Sequence, residues 1–433
     1  MNSLQLYRRF EDLPDNVRQF FNEVGRNCDF SLTLAWYRHL AETTRNAQQE
    51  LRIYCLQRDA LPSLLLPMYA THSGCWPWRT RRLSALANYY SALTGPLLQA
   101  GAGGIAKTIA AIVKERPHWD IIDLHPLAPE SSSFIELEQA LRHAGMAVQR
   151  YFCFGNWYLD VAGRSYQTYL ASLPSKLRNT LARKTQQLQT TGRLHMDIIT
   201  GGAELEAGIA SYLAVYGASW KKPEPFPDFI PGLIRLCAQQ NSLRLGVARI
   251  DGIPAAAQIW IVHNKVAAIY KLAYDTRFAS LSVGSILTST LMEHVIEVDR
   301  VREVDYLMGD DTYKQDWMSH RRERWGLRAC NLHTARGIMA ALGHQGRHFM
   351  RRLQKSVTLP RPQKQLVADM LRRHIVRLNR SKKMDADDMM KDLSNNHFFH
   401  KKTGPIPTGK LKIKTACVSR GRDEKNTCNN KNS

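Results

Sequence analysis

Two carboxylates, a phenol, an ammonium and an indole fall within eight residues of one another at Asp310, Asp311, Tyr313, Lys314 and Trp317. One of two adjacent carboxylates can have a raised pKa, so Asp310 or Asp311 is a candidate general base. Lys314 can neutralise phosphate or developing negative charge, and Tyr313 can donate a proton or a hydrogen bond. Trp317 suits packing rather than chemistry. A short apolar strand through Val301, Val304, Tyr306 and Leu307 leads into these groups and stops at Gly309, a residue for a turn that no side chain can crowd. Polar groups gathered just past a strand end are the pattern of an active-site loop on an α/β scaffold. The same residues also compose an acidic turn followed by an exposed charged segment.

A second candidate lies upstream. A strand ends at Tyr274-Asp275, and Ser280-Leu281-Ser282-Val283-Gly284-Ser285 opens a helix running to about Val298. Free N–H groups and the positive dipole end at such a helix start favour phosphate, and Gly284 permits close approach to the backbone. Ser282 is equally explained as an ordinary N-cap. The segment 173–192 is a helix with Lys176, Arg178, Arg183 and Lys184 on one side and Leu177, Leu181 and Leu188 on the other. It is either a solvated face or a cationic surface for an anionic ligand. Gly101 to Gly104 precedes a helix but lacks the Lys-Ser/Thr continuation of a P-loop, so a tight turn explains it. The 15 histidines show no ligand spacing, and no metal is expected.

The elements that must position these groups alternate. Residues 11–45 are helical, β-like runs follow at 51–56, 61–69 and 82–86, and a hairpin break falls at Arg58-Asp59-Ala60. Helices at 105–114 and 134–143 bracket a buried strand at 119–124, and an aromatic-rich strand or strand pair covers 148–159. A second unit begins near Leu194. Its meander over 242–275 is punctuated by turns at Asp251-Gly252 and Asn264-Lys265. The fold class is α/β (α+β), with mixed central sheets flanked by helices. Expected boundaries are residues 1–164, 165–335, a basic amphipathic helix at 336–359, and a disordered basic tail at 360–433 with too few large apolar residues to offset ordering entropy.

Charge is uneven. Of the net +22, residues 336–433 carry +16, from 23 Lys+Arg against 7 Asp+Glu, so the globular body is only mildly basic. The eight cysteines are scattered without a CxxC pair, which points away from a disulfide framework or zinc site and toward a reduced, cytoplasmic setting. No apolar run is long enough to span a bilayer, and the N-terminal segment lacks the apolar core of a signal peptide.

Three meander strands, a Ser/Gly turn, a helix, a strand and then G-D-x-x-Y-K follow in order from 242 to 314. Together with Leu173-Pro174-Ser175-Lys176-Leu177-Arg178-Asn179, Phe278-Ala279-Ser280-Leu281-Ser282-Val283-Gly284 and Val304-Asp305-Tyr306-Leu307-Met308-Gly309-Asp310-Asp311-Thr312-Tyr313-Lys314, this resembles the GNAT acyltransferases. More narrowly, it resembles the acetyltransferase-like domain of CelD-type cellulose and exopolysaccharide biosynthesis proteins, relatives of the FemAB transferases. The resemblance runs from about residue 5 to 355 and implies two tandem GNAT-like domains. It implies acetyl-CoA or another acyl-CoA held by Tyr274, Ser280, Ser282, Val283, Gly284 and Ser285, with pantetheine along strand 266–275. Catalysis falls to Asp310, Tyr313 and Lys314, and acceptor binding to Lys176, Arg178, Trp220 and Asp311. The implied acceptor is a sugar, amino sugar or glycan precursor, and polysaccharide-biosynthesis machinery is an implied partner. The turn departs from the Q/R-x-x-G-x-G/A signature, having only Gly284, which keeps aminoacyl-tRNA open as donor. In that case the basic helices at 175–184 and 336–355 would hold RNA. A non-catalytic GNAT-like subunit of a polysaccharide synthase is the remaining alternative.

Overall fold

A computed structural model of the chain describes residues 2–74, 79–99, 101 and 103–342. Residues 335–342 are helical; the rest of the expected helix at 336–359 and the tail at 360–433 lie outside the described residues. The first half contains β1 (Asn2–Tyr7), α1 (Asp15–Arg26), α2 (Leu34–Thr44), β2 (Gln49–Arg58), β3 (Leu61–Ser73), β4 (Thr80–Ala85) and the two-residue β5 (Leu97–Leu98). It closes with α3 (Ile105–Lys114), β6 (Ile121–Leu127), α4 (Ser132–His143) and β7 (Met146–Asp160). The second half begins with α5 (Tyr166–Ser172), α6 (Ser175–Thr190), β8 (Leu194–Ile199), α7 (Leu205–Gly217) and α8 (Phe229–Gln239). The meander β9 (Leu243–Ile250), β10 (Ile253–His263) and β11 (Val266–Tyr274) leads to α9 (Val283–Glu297), β12 (Glu303–Asp305), α10 (Thr312–Gln315) and β13 (His320–Asn331).

The expected hairpins form where both turn residues accept positive φ: Asp59-Ala60, Asp251-Gly252 and Asn264-Lys265. Each half then repeats one plan. A meander is followed by a helix crossing to a parallel strand, β4 to β6 through α3 and β11 to β12 through α9. A second helix and a long antiparallel strand complete the plan.

The final strands change places. β13 lies between β6 and β7, and β7 lies between β13 and β12, so each half's parallel strand is flanked by the other half's last strand. The result is one mixed 13-stranded sheet, in the order β1-β2-β3-β4-β6-β13-β7-β12-β11-β10-β9-β8 with β5 beside β3. The separate sheets expected for two domains are therefore fused.

Side-chain alternation sends the apolar residues of this sheet to two faces. On one face α1, α2, α7 and α8 share a single core, in which Tyr90 stacks on Phe229 at 3.8 Å between centroids and Trp36 meets Tyr270 edge-on. On the other face α3 and α4 cover the first half, and α5, α6 and α9 cover the second. The middle strands, with α3/α4 on one side and α5/α9 on the other, carry the polar groups described next.

Candidate active site

β11 and β12 pair over three residues only, Val266–Ala268 with Glu303–Asp305. Side chains cause the divergence. The Asp305 carboxylate, 3% exposed, accepts the Leu307 N–H at 2.6 Å and turns the backbone, which takes a left-handed conformation at Leu307. Asn156 on β7 donates to Asp305 and to the Leu307 carbonyl, while Arg322 on β13 donates to Asp305, Glu303 and Asn156. A satisfied buried network of this kind specifies one geometry. From Ile269 to Tyr274 this edge of β11 consequently has no strand beside it among the described residues. The β10 register skips Tyr270, which is the extra residue of a bulge. A bulge leaves backbone groups outside the ladder, and an outward N–H is the kind of donor that stabilises an oxyanion.

The open edge ends at the start of α9. Residues 276–281 make a 3-10 turn capped by Asp275, which accepts the Arg277 N–H at 2.9 Å and pairs with its guanidinium. Ser282 is left-handed, with φ 56°, and its hydroxyl caps nothing, so the ordinary N-cap reading does not hold. Gly284 lies against the Tyr274 ring, which packs on Trp220 at 4.6 Å, and Gln258 fixes the Gly284 carbonyl at 2.9 Å. Tyr274, Ser280, Ser282, Val283, Gly284 and Ser285 thus gather at one corner, together with Trp220. Val283 is buried and offers only its backbone.

The 309–314 loop forms the opposite wall. Lys314 is 4% exposed, and its Nζ donates to the carbonyls of Met308 (2.6 Å), Gly309 (3.3 Å) and Tyr306 (3.4 Å), with Asp311 at 3.5 Å. Burial lowers its pKa, with the carboxylates of Asp311, Asp305 and Asp310 opposing. Asp310 accepts from Arg321 through two nitrogens and from the Trp157 indole at 2.8 Å, over a floor at Gly155 where a Cβ would strike the pair. The Arg321 guanidinium holds Asp310 below the usual carboxylate range. Tyr313 is half-exposed, edge-on to Tyr306, and burial of its hydroxyl raises its pKa. Trp317 is buried in the α5/α9 core. Gly309 has φ 106°, and a Cβ there would lie 3.1 Å from both Asp311 Oδ2 and Lys314 Nζ. Gly309→Ala is expected to cost about 1–3 kcal/mol, read as a lowered denaturant midpoint.

Sequence reasoning missed a second cluster on the α7/α8 face. Glu224 accepts from Tyr90 (2.9 Å), Tyr216 (2.8 Å) and Lys271 (2.8 Å). Burial raises its pKa, and Lys271 and the two phenols more than offset this, so the group is held ionised. Tyr89 lies over Lys271 at 4.7 Å, and Lys221 follows Trp220 into the same space. Glu224 stands in the stretch Pro223-Glu224-Pro225-Phe226-Pro227-Asp228, whose composition indicates a loop and nothing more. Residues from 89, 216, 224 and 271 share no local pattern, so only the folded chain unites them. Lys176 and Arg178 stand on α6, and Arg178 donates to the Ala171 carbonyl at 2.5 Å. Among the described residues no hydrogen bond or ion pair links either to the 309–314 loop. No group of three or more His, Cys, Asp or Glu among the described residues could hold a metal, and no helix among them is long and apolar enough to cross a membrane.

Known proteins bear on this geometry. Residues 175–315 match the acetyltransferase (GNAT) domain family. FemX superposes with a TM-score of 0.53 at 10% identity, over 73% of this chain and 96% of its own. A conserved protein of unknown function from Bacteroides thetaiotaomicron gives 0.48 at 10% identity, over 76% and 100%. A tandem GNAT protein of the clavulanic acid biosynthesis pathway gives 0.43 at 11% identity, over 75% and 98%. No curated protein matches in sequence. The chain has the overall fold of FemX and carries, over residues 175–315, a GNAT-type acyltransferase domain.

Proposed function

We propose that the chain transfers an acyl group from acyl-CoA, acetyl-CoA foremost, to an amine or hydroxyl of a sugar or amino-sugar precursor in polysaccharide or envelope biosynthesis, as in the CelD-like branch of the superfamily. The observation that carries the donor half is the unpaired, bulged edge of β11 meeting the N-terminus of the 15-residue α9 within the matched domain. Pantetheine lies along Ile269–Tyr274 as a substitute strand. The pyrophosphate meets the N–H groups at Val283–Ser285, where the helix dipole favours negative charge. The thioester carbonyl then sits at the Tyr270 bulge. The acceptor nitrogen or oxygen adds to this carbon, the backbone N–H stabilises the oxyanion, and the C–S bond breaks with the thiol taking a proton.

Asp310, kept ionised by Arg321, accepts a hydrogen bond from the attacking N–H or O–H. Tyr313 and Asp311 flank the acceptor, and Trp220 offers it an exposed ring. Labelled acetyl-CoA incubated with a panel of amino sugars and nucleotide sugars tests this. Transfer to a member of the panel is expected, with Asp310→Asn about tenfold slower at unchanged donor affinity. Absence of both transfer and CoA binding removes the reading.

The likeness to FemX and the exposed basic face of α6 favour a second reading, an aminoacyl-tRNA-dependent transferase of the FemAB kind. RNA binding that weakens steeply with salt, and that survives removal of residues 360–433, would select it.

A further inference from the structure

Three lysines converge between the open edge of β11 and the 309–314 loop, and two of them are paired. Lys271 has Glu224, and Lys314 has Asp311 and three carbonyls. Lys221 has neither kind of partner. Among the described residues its Nζ makes no hydrogen bond or ion pair, and it lies over the Trp220 ring, 5.7 Å from the centroid. The nearby Glu224 already receives Tyr90, Tyr216 and Lys271. Trp220 packs in turn on Tyr274, the last residue of β11.

The Lys221 amine feels both walls of the slot. Burial, then the positive charges of Lys271 and Lys314, push its pKa down to about 8, with Glu224 and Asp311 opposing. At pH 8 such a group holds about a hundredfold more free amine than an ordinary lysine with pKa ~10.4. A half-buried amine with no hydrogen-bond or ion-pair partner among the described residues, held against the Trp220–Tyr274 pair at the end of the proposed donor strand, has the makings of a nucleophile.

We propose that the Lys221 ε-amine is itself an acyl acceptor, becoming acylated by the donor bound against β11. This rests on the acyl-CoA reading above. The amine nitrogen adds to the thioester carbon, the new N–C bond replaces the C–S bond, and the nitrogen's proton leaves with the CoA thiol. The amide removes one positive charge of three and sets the acyl group beside the slot. With an aminated acceptor present, Lys221 competes with it for the same carbon.

The test needs no knowledge of the natural acceptor. Full-length protein is incubated with equimolar acetyl-CoA between pH 7 and 10, and acetylated peptides are quantified by mass spectrometry. Calorimetry measures acetyl-CoA binding in parallel. Lys221 is expected to acetylate at least about tenfold faster than the exposed Lys222, with a rate that levels off above pH ~8 instead of climbing to ~10.4. Excess CoA is expected to suppress it, whereas acetylation of Lys221 by acetyl phosphate, which bypasses the site, is expected to be insensitive to CoA. Lys221→Arg is expected to bind acetyl-CoA within about threefold and to lose the fast acetylation. Binding of acetyl-CoA without preferential Lys221 acetylation overturns the proposal and leaves the donor reading standing. Absence of acetyl-CoA binding overturns both.

Discussion

Asp123→Asn is expected to lower the stability of the folded chain by about 2–4 kcal/mol, the cost of stranding buried positive charge. Asp123 is fully buried on β6, on the face opposite α3 and α4, and is the shared counter-ion of two guanidiniums from strands distant in sequence. Arg82 on β4 donates to it, Arg328 on β13 donates at 2.9 Å, and the Tyr151 hydroxyl on β7 donates at 2.7 Å. The carboxylate therefore ties the exchanged strand β13 to the first half. An amide of the same shape keeps one acceptor oxygen but leaves Arg82 and Arg328 facing each other. Arg82→Gln in the same background should restore part of the loss, because it removes the repulsion as well as the contact. Chemical denaturation of the four members of the cycle checks this.

The same residue sets an acid limb. Burial raises the Asp123 pKa, and Arg82 and Arg328 more than offset this, leaving it at about 2. A carboxyl depressed in the folded state contributes stability that is fully present above its unfolded value of ~3.9 and is lost as pH falls toward ~2. The loss is on the order of 2 kcal/mol across that window. In Asp123→Asn that part of the acid limb should be missing.

Lys314→Ala is expected to slow acyl transfer about a hundredfold while leaving donor affinity within about threefold. Its ammonium has three protons and meets three carbonyls of one loop, at Tyr306, Met308 and Gly309. Without it these carbonyls lose their donor, and the loop that carries Asp310, Asp311 and Tyr313 loses its anchor. Lys314→Arg should not rescue, because a planar guanidinium cannot reproduce three convergent donors on so short a loop. Hydrogen exchange at residues 306–314 should accelerate in both variants, while exchange in β9 and β10 stays slow. A variant with normal turnover would show that the loop is held by other means.

Sequence reasoning succeeded where structure is local. The Asp251-Gly252 and Asn264-Lys265 turns demand positive φ, so the meander from 243 to 274 follows from its own residues. The strand, 3-10 turn and helix around Ser282–Gly284 are likewise contiguous, although the left-handed Ser282 has no signature in a polar turn. What could not be read is pairing at long range. Arg328 meets Asp123, and Asn156 meets Asp305, across 205 and 149 residues. The apolar alternation of Leu327 and Ala329 marks a strand without naming its neighbours, so the exchange of β7 and β13 was invisible. Asp310 drew attention as a base, but its basicity is set by Arg321 and by Trp157 on another strand. The Lys221, Glu224 and Lys271 group is the same case, with the loop between α7 and α8 contributing two members and β11 the third. The N-terminal strand β1 went unread because only Leu4 and Leu6 alternate there before the charged Arg8-Arg9.

The donor site is the claim on which the transfer chemistry and the Lys221 acylation both depend. Hydrogen exchange by mass spectrometry, with and without saturating acetyl-CoA, locates it directly. Slowed exchange is predicted in peptides covering Ile269–Tyr274 and Ser282–Ser285, with β1 to β3 unchanged. Protection that falls elsewhere, or no change in these two segments at a concentration where calorimetry detects bound acetyl-CoA, would contradict it.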